Sequence, residues 1–180
     1  MSAPAFPVSR LAGSARPLLT GETLQLRPAH DGDLDFLRRL YHSFRAGEMA
    51  PVPWSEAEKD AFLDDQFRLQ HRHFTTVFPE ADFLVVEQGG APIGRLYLQR
   101  DEEGVLVVDI GLLPDFRRQG IGRVLMEWVL REAADAQAAK VWLHVLEQNL
   151  PARRLYEQLG FVVVGGQDVR MRMERRLPVS

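Results

Sequence analysis

A junction between an apolar segment and an amphipathic one carries the residues best suited to chemistry. The apolar segment covers residues 105–113, and the junction is Arg117-Arg118-Gln119-Gly120-Ile121-Gly122. The first N–H groups of a helix have no acceptor within the helix, and the aligned peptide dipoles leave about half a positive charge there. Gly120 and Gly122 lack a Cβ, so a bulky anion can approach the main chain, while the arginines supply forked cationic donors. This junction is therefore predicted to bind phosphate.

A second motif follows about thirty residues downstream, after an intervening strand. It has the pattern Asn149-x-x-Ala152-x-x-x-Tyr156-x-x-x-Gly160-Phe161. Together, and in this order, the two motifs resemble the acyl-coenzyme A pyrophosphate loop and the following segment of the GNAT N-acetyltransferase superfamily. The resemblance covers residues 105–161 well and says nothing specific about the first twenty residues.

The resemblance implies that acetyl-CoA is the acetyl donor. It also implies that the strands at residues 105–113 and 140–146 splay apart, with the pantetheine arm lying in the gap. Main-chain groups of Leu112 and Leu113 would pair with that arm. Asn149 has two open roles, a hydrogen bond to the arm and the N-cap of the helix from Leu150. The residues expected to contact the donor are Leu112, Leu113, Arg117, Arg118, Gln119, Gly120, Ile121, Gly122, Arg123 and Asn149.

Two residues are the candidates for proton transfer. Tyr156 is the candidate acid, although a phenol with a pKa of about 10 gives its proton to a thiolate of about 8.5 only at a cost of about 2 kcal/mol. It would therefore act through a strengthening hydrogen bond or through a lowered pKa. Asp109 interrupts an apolar strand, where a carboxylate is costly unless it faces a polar pocket, and it is the candidate base. Other interpretations stay open: a packing role for Tyr156, a solvent-facing or Arg95-paired Asp109, and Glu147, a water chain or His144 at the site.

The elements that position these residues follow from hydrophobic periodicity. Predicted strands cover residues 23–27, 82–87, 93–100, 105–113, 140–146, 161–166 and 169–175. Predicted helices begin near Asp31 and at the Ser55/Glu58 capping box, and cover residues 120–136 and 150–159. The chain is expected to break at Gly47, Pro51 and Pro53. The fold class is α+β: a GNAT-like mixed, mostly antiparallel twisted sheet of about seven strands with helices on both faces.

Composition and residue types indicate the domain limits and exclude several classes of protein. Residues 1–20 are expected to form a flexible N-terminal tail, and residues 21–180 a single N-acetyltransferase domain. A net charge of -3 offers no field for nucleic acid, and no apolar run approaches the roughly 20 residues of a membrane span. The chain has no cysteine, which removes a thiol nucleophile and is consistent with a cytoplasmic protein. His71 and His73 would point apart on a helix, so no metal site is predicted.

Competing functions fit less well. Leu125 stands where a dinucleotide-binding motif needs its third glycine, and the lysine of a phosphate-binding Walker motif is absent. The expected function is therefore an N-acetyltransferase that moves an acetyl group to a primary amine by direct attack in a ternary complex. The alternative is a non-catalytic acyl-CoA-binding sensor or regulatory module. The acceptor would be a small-molecule or peptide amine, and residues 44–58 are expected to order around, or close over, its binding site. A homodimer is left open.

Overall fold

A mixed sheet and four α-helices are present in the residues that the computed structural model describes, which are 4–7, 16–17 and 24–178. The strands are β1 (Arg16–Pro17), β2 (Leu24–Pro28), β3 (Asp82–Gln88), β4 (Ala91–Asp101), β5 (Gly104–Leu112), β6 (Lys140–Leu146), β7 (Val162–Gln167) and β8 (Arg170–Arg176). The helices are α1 (Leu34–Met49), α2 (Glu56–Val77), α3 (Ile121–Asp135) and α4 (Leu150–Gln158).

The strand order in the sheet is β1-β2-β3-β4-β5-β6-β8-β7. β2 pairs antiparallel with β1 and β3, and β8 pairs antiparallel with β6 and β7. β5 and β6 are parallel, as expected for two strands joined through a helix, here α3. The predicted α+β class is confirmed, with the two-residue β1 added to the seven expected strands.

The chain divides into two compact units. The first consists of the described residues up to Arg95 together with Gly111–Arg117, and the second consists of Leu96–Ile110 with the described residues from Arg118 onward.

The first unit is built on an apolar cluster from α1, α2 and β3. Its buried members are Phe36, Leu37, Leu40, Tyr41, Leu63, Phe67 and Val85. The α2 helix begins with the predicted capping box, since Ser55 N donates to Glu58 Oε2 at 2.8 Å and Glu58 N donates to Ser55 Oγ at 3.3 Å. On β2, Arg27 joins Asp33 and Glu87 at 2.7 Å each, which satisfies charges that would otherwise be costly to bury.

Residues 4–7 pack against the first unit. The Phe6 ring lies 4.8 Å from the His71 ring and 5.5 Å from the Phe83 ring, and the ring nitrogen Nε2 of the buried His71 lies 2.7 Å from the carbonyl oxygen of Pro4. An apolar side chain and a buried imidazole thus hold these four residues within the first unit. The other residues expected in the tail, except β1, lie outside the described part of the chain.

Two local features of the first unit concern the segment between α1 and α2. The α1 helix continues through Gly47 to Met49, because a glycine costs a helix only about 1 kcal/mol and does not stop it. Trp54 is half exposed and packs edge-on against Phe62 at 5.5 Å, two turns into α2. Much of the segment at residues 44–58 is therefore helix end and capping structure.

In the second unit, α3 and the C-terminal strands contribute buried apolar residues. Leu125, Val129, Val141, Leu143 and Met173 are all buried within it. The α3 helix presents its apolar residues at the predicted 3.6-residue spacing, and β6 has the predicted bounds.

Candidate active site

The loop before α3 has an unusual backbone. Arg118 and Gly120 both lie in the left-handed region, with φ of 63° and 82°. A non-glycine residue there costs about 1–2 kcal/mol, and such strain gathers at functional sites. Left-handed residues of this kind occur in backbone nests, where successive N–H groups turn toward one side and can form an anion-binding concavity.

The start of α3 adds to this concavity. The N–H groups of Arg123 and Val124 donate to the Gly120 carbonyl at 3.0 and 3.1 Å. The N–H groups of Ile121 and Gly122 therefore come before the first helical donor. Gly120, at the N-cap, supplies no side-chain cap, and the first turn contains no acid. The helix therefore begins with a positive end that no acid in its first turn offsets.

The two glycines of the loop have different surroundings. A Cβ added to Gly120 would meet no heavy atom within 4 Å, whereas one added to Gly122 would lie 3.6 Å from Cδ2 of Leu155. Gly120 therefore leaves bare main chain beside open space, and Gly122 lies against α4. Sequence reasoning assigned the same role to both glycines, whereas their surroundings in the structure differ.

The arginines around the loop are also distinct. In the first unit, Arg117 donates from Nε to the Leu112 carbonyl at 2.9 Å, and its guanidinium carbon lies 5.4 Å from the centre of the Phe44 ring. In the second unit, Arg123 contacts Gln158 and lies 3.8 Å from Glu127. Arg118 is exposed. Arg117 is thus held in one orientation by a carbonyl and an aromatic ring, which pre-organises its charge.

The main chain at the end of β5 distinguishes Leu112 from Leu113. The Leu113 N–H donates to the Ile93 carbonyl at 2.8 Å, and the Leu113 carbonyl accepts from Phe116 N at 3.0 Å. Both Leu113 groups are therefore used within the first unit. Because neighbouring residues of a strand direct their backbone groups to opposite edges, the Leu112 N–H points away from β4. Leu112 is the better candidate to bind a ligand through its main chain.

β5 and β6 pair over a short stretch only. The ladder joins Val105, Leu106 and Val107 to Val141, Trp142 and Leu143, yet β6 continues to Leu146. Asp109 lies on β5 two residues past the last pair, and it is half-buried. The end of the ladder is the feature expected where two strands separate.

Tyr156 lies on α4 and is buried, with its ring 5.9 Å from that of Phe161. Burial raises the pKa of Tyr156 to about 12, and the nearby charge of Asp109 adds to the effect. The structure therefore brings together Asp109 and Tyr156, the two residues predicted for proton transfer.

Asn149 acts as the N-cap of α4. Its side-chain oxygen accepts from Ala152 N at 3.3 Å, and Pro151 occupies an early helical position. The capping role left open by the sequence is present, and it leaves the amide NH₂ as the group able to donate to a ligand. Glu147 and His144, the other candidates, are both exposed.

Sequence reasoning missed an aromatic and cationic cluster in the first unit. Phe44 contacts both Arg117 and the buried Arg95. The guanidinium carbon of Arg95 is 5.7 Å from the Phe44 ring centre, and Arg95 also donates to Gln70 at 2.9 Å. A Cβ on Gly111 would come within 2.3 Å of Phe44 Cζ, so Phe44 rests directly on the strand. Glycine within an apolar strand was the available signal, because it marks a close approach.

Two negative observations apply to the described residues. Within them, no group of three or more His, Cys, Asp or Glu side chains could hold a metal ion. None of their helices combines the length and apolar character needed to cross a membrane.

Comparison with known proteins gives consistent results. The sequence model of the acetyltransferase (GNAT) family matches residues 37–161. An uncharacterized N-acetyltransferase of Mycobacterium tuberculosis is 34% identical over 94 residues, which are 52% of this chain and 60% of that protein. The peptidyl-lysine N-acetyltransferase YjaB of Salmonella typhimurium is 33% identical over 138 residues, which are 74% of this chain and 87% of that protein.

A solved structure agrees with the fold. The PaiA N-acetyltransferase of Thermoplasma acidophilum, solved in complex with coenzyme A, superposes with a TM-score of 0.67 at 17% identity, covering 86% of this chain and 99% of that one. The chain spans about three fifths of the length of the mycobacterial relatives it matches, since the alignment covers 60% of them.

Proposed function

This chain belongs to the acetyltransferase (GNAT) family, and from that premise we propose that it is an acetyl-CoA-dependent N-acetyltransferase acting on a primary amine. The observation that carries the proposal is the backbone of the loop before α3. Arg118 and Gly120 are left-handed there, and a Cβ added to Gly120 would meet no other heavy atom within 4 Å. A concavity of N–H groups at an uncapped helix start suits the diphosphate of coenzyme A.

The donor would be held along the chain by residues with separate tasks. The N–H groups of residues 119–122 and the Arg118 guanidinium bind the diphosphate in this proposal, with Arg117 and Arg123 at its rim. The Leu112 N–H hydrogen-bonds the thioester end and acts as the oxyanion donor, a contribution typically worth about 2.7–4 kcal/mol. The Asn149 amide donates to the arm.

The amine attacks the thioester carbonyl carbon directly in a ternary complex. This chain has no cysteine to form an acyl-enzyme, which favours direct attack. Asp109, directly or through water, accepts the proton that the amine nitrogen loses as the N–C bond forms. When the C–S bond breaks, Tyr156 donates a hydrogen bond to the departing thiolate. The thiolate takes up a proton from water to become the free thiol, and Asp109 returns the amine's proton to water.

The test is thiol release from acetyl-CoA in the presence of amines. Purified protein and acetyl-CoA are incubated with one amine at a time, drawn from polyamines, amino acids, aminoglycosides and peptides. The free thiol and the acetylated amine are both measured. We expect at least one amine to raise thiol release well above its background rate. Binding of acetyl-CoA in a titration, without thiol release for any amine, would instead support the non-catalytic sensor.

A further inference from the structure

We propose that the acceptor amine carries a carboxylate, and that a cavity on the second unit binds this carboxylate through Arg170 and Arg172. The inference rests on the proposed acetyltransferase function and names its class of substrate. The cavity has a volume of about 460 Å³. It is lined by His144, Gly165, Gly166, Gln167, Asp168, Arg170 and Arg172.

The lining has more cationic than anionic groups. Arg170 and Arg172 face one acid, Asp168. The same charges act on His144. Partial burial lowers the pKa of His144, and the positive charges of Arg172 and Arg170 lower it further. The imidazole is therefore neutral near pH 7 and still offers one N–H donor. Such a lining repels an ammonium group and attracts a carboxylate.

Arg172 is held in place. Its Nε lies 2.9 Å from Glu174 Oε1, it contacts Glu103, and its guanidinium carbon lies 4.1 Å from the centre of the Trp142 ring. These contacts fix the guanidinium plane and also offset part of its charge. Arg172 therefore contributes a positioned donor, and Arg170 contributes most of the uncompensated charge.

The backbone beside these arginines is exposed for contact. The β7–β8 ladder shifts register between Val163 and Gly165, and a bulge of this kind often lies next to a functional site. A Cβ added to Gly165 would meet nothing within 4 Å, whereas one added to Gly166 would lie 2.8 Å from the Arg170 carbonyl. Gly165 thus leaves bare main chain in the cavity, and Gly166 lets β7 approach β8 closely.

The cavity begins where the two central strands stop pairing. Its lining residue His144 directly follows Leu143, the last β6 residue in the ladder with β5. Under the proposed function the reacting end of the donor lies beyond this ladder. The inference requires an acceptor that is anchored in the cavity and long enough for its amine to reach the end of the ladder.

The first unit gives less support for a cationic acceptor, which its acids could otherwise attract. A cavity of about 530 Å³ there is lined in part by His42, Glu56, Lys59 and Asp60. Lys59 Nζ lies 3.0 Å from Glu56, and His42 Nδ1 lies 3.6 Å from Asp60. On the same helix Asp64 bonds Arg38 at 2.9 Å. These acids have local partners, so they leave little charge to bind an ammonium group.

The experiment compares acceptors that differ only in a carboxylate. Glutamate is compared with glutamine, which lacks the side-chain carboxylate, and with glutaminamide, which lacks both carboxylates. A peptide beginning Ala-Glu is compared with one beginning Ala-Gln. We expect kcat/KM to be at least about tenfold higher for the acid member of a pair, because a charge-assisted contact is lost in the other. The amino-acid and peptide arms show which source of carboxylate the cavity accepts.

The variant Arg170→Gln should reduce this ratio of kcat/KM by about tenfold, mainly through KM. Arg176→Gln, an exposed arginine on the same strand outside the cavity lining, is the matched control and should keep the ratio. Equal kcat/KM for the members of every pair, or a preference that Arg170→Gln leaves intact in a folded protein, would overturn the inference. If no amine at all is acetylated, the proposed function fails instead.

Discussion

Burial of the Tyr156 phenol, reinforced by the negative charge of Asp109, raises the pKa of Tyr156 to about 12. This direction favours the alternative of a strengthening hydrogen bond over that of a lowered pKa. The gap to a thiol of about 8.5 is about 3.5 units, so full proton transfer would be uphill by about 5 kcal/mol. Tyr156 consequently stays protonated through the ordinary pH range and is suited to donate a hydrogen bond to a developing thiolate.

Tyr156→Phe should keep acetyl-CoA affinity and lose turnover. The substitution removes the donor hydroxyl and preserves the buried ring that packs near Phe161. We expect kcat to fall by about 10²–10⁴-fold, the usual contribution of a positioned proton donor. Steady-state thiol release and calorimetric titration with acetyl-CoA measure the two quantities.

Tyr41→Phe is the matched control, because it removes the same hydroxyl from a buried tyrosine of the first unit's core. Its turnover should stay near that of the parent. A Tyr156→Phe protein with turnover within about twofold of the parent would assign Tyr156 to packing alone.

Asp109→Asn should lower kcat/KM for the amine at neutral pH by about 10²–10⁴-fold, because an amide cannot accept the amine's proton. It should also lower the pKa of Tyr156 relative to the parent, because the substitution removes a charge that raises it. Rates across pH, together with ultraviolet titration of the tyrosines, test both effects in one protein.

Glu147→Gln is the comparison, since Glu147 is the exposed carboxylate that the sequence offered as another base. If Glu147→Gln loses activity while Asp109→Asn retains it, Glu147 and not Asp109 is the base.

Gly120→Ala should weaken acetyl-CoA binding by about 10- to 100-fold, the loss expected when a charge-assisted contact to the main chain is blocked. Gly120 has a φ of 82°, so alanine also strains the backbone by about 1–2 kcal/mol. Gly90→Ala supplies the control, because Gly90 has a φ of 79° and equally open surroundings in the β3–β4 turn.

Both alanine variants should lose similar stability in denaturant unfolding, and only Gly120→Ala should lose affinity in calorimetric titration. Equal affinities for the two folded variants would remove the phosphate-binding role from the loop.

Much of the fold followed from local sequence signals. The capping box at Ser55 set the start of α2, and the apolar repeat in α3 set that helix. These signals succeed because they depend on interactions within one or two turns of chain. The end of α1 was placed too early at Gly47, because a glycine weakens a helix locally and the packing around it decides whether the helix continues.

The candidate site was less accessible to sequence reasoning. Gly120 and Gly122 are the same residue type two positions apart, and only their surroundings distinguish bare main chain from contact with α4. The contact between Phe44 and Arg117 joins residues far apart in sequence, so no local sequence pattern predicts it. The raised pKa of Tyr156 likewise depends on burial and on a charge contributed by another element.

His71 should make folding stability fall as pH drops below about 6.5. Burial lowers the pKa of His71, the charge of Arg95 acts in the same direction, and the Pro4 carbonyl and Asp31 oppose it. Below about 6.5 the unfolded chain takes up a proton that the folded protein resists, so stability is fully present above that pH and is lost as pH falls toward the lowered folded pKa. The slope contributed by one group is at most about 1.4 kcal/mol per pH unit.

His71→Gln keeps an N–H donor for the Pro4 carbonyl and cannot titrate, so its free energy of unfolding should vary less between pH 7.5 and 5 than that of the parent. His73→Gln is the control, because His73 is exposed two residues away and should keep the parent's slope. Denaturant unfolding at half-unit pH steps gives the measurement. If parent and His71→Gln lose stability in parallel over this range, protonation of His71 does not govern the acid sensitivity, and the contact with residues 4–7 tolerates a charged imidazole.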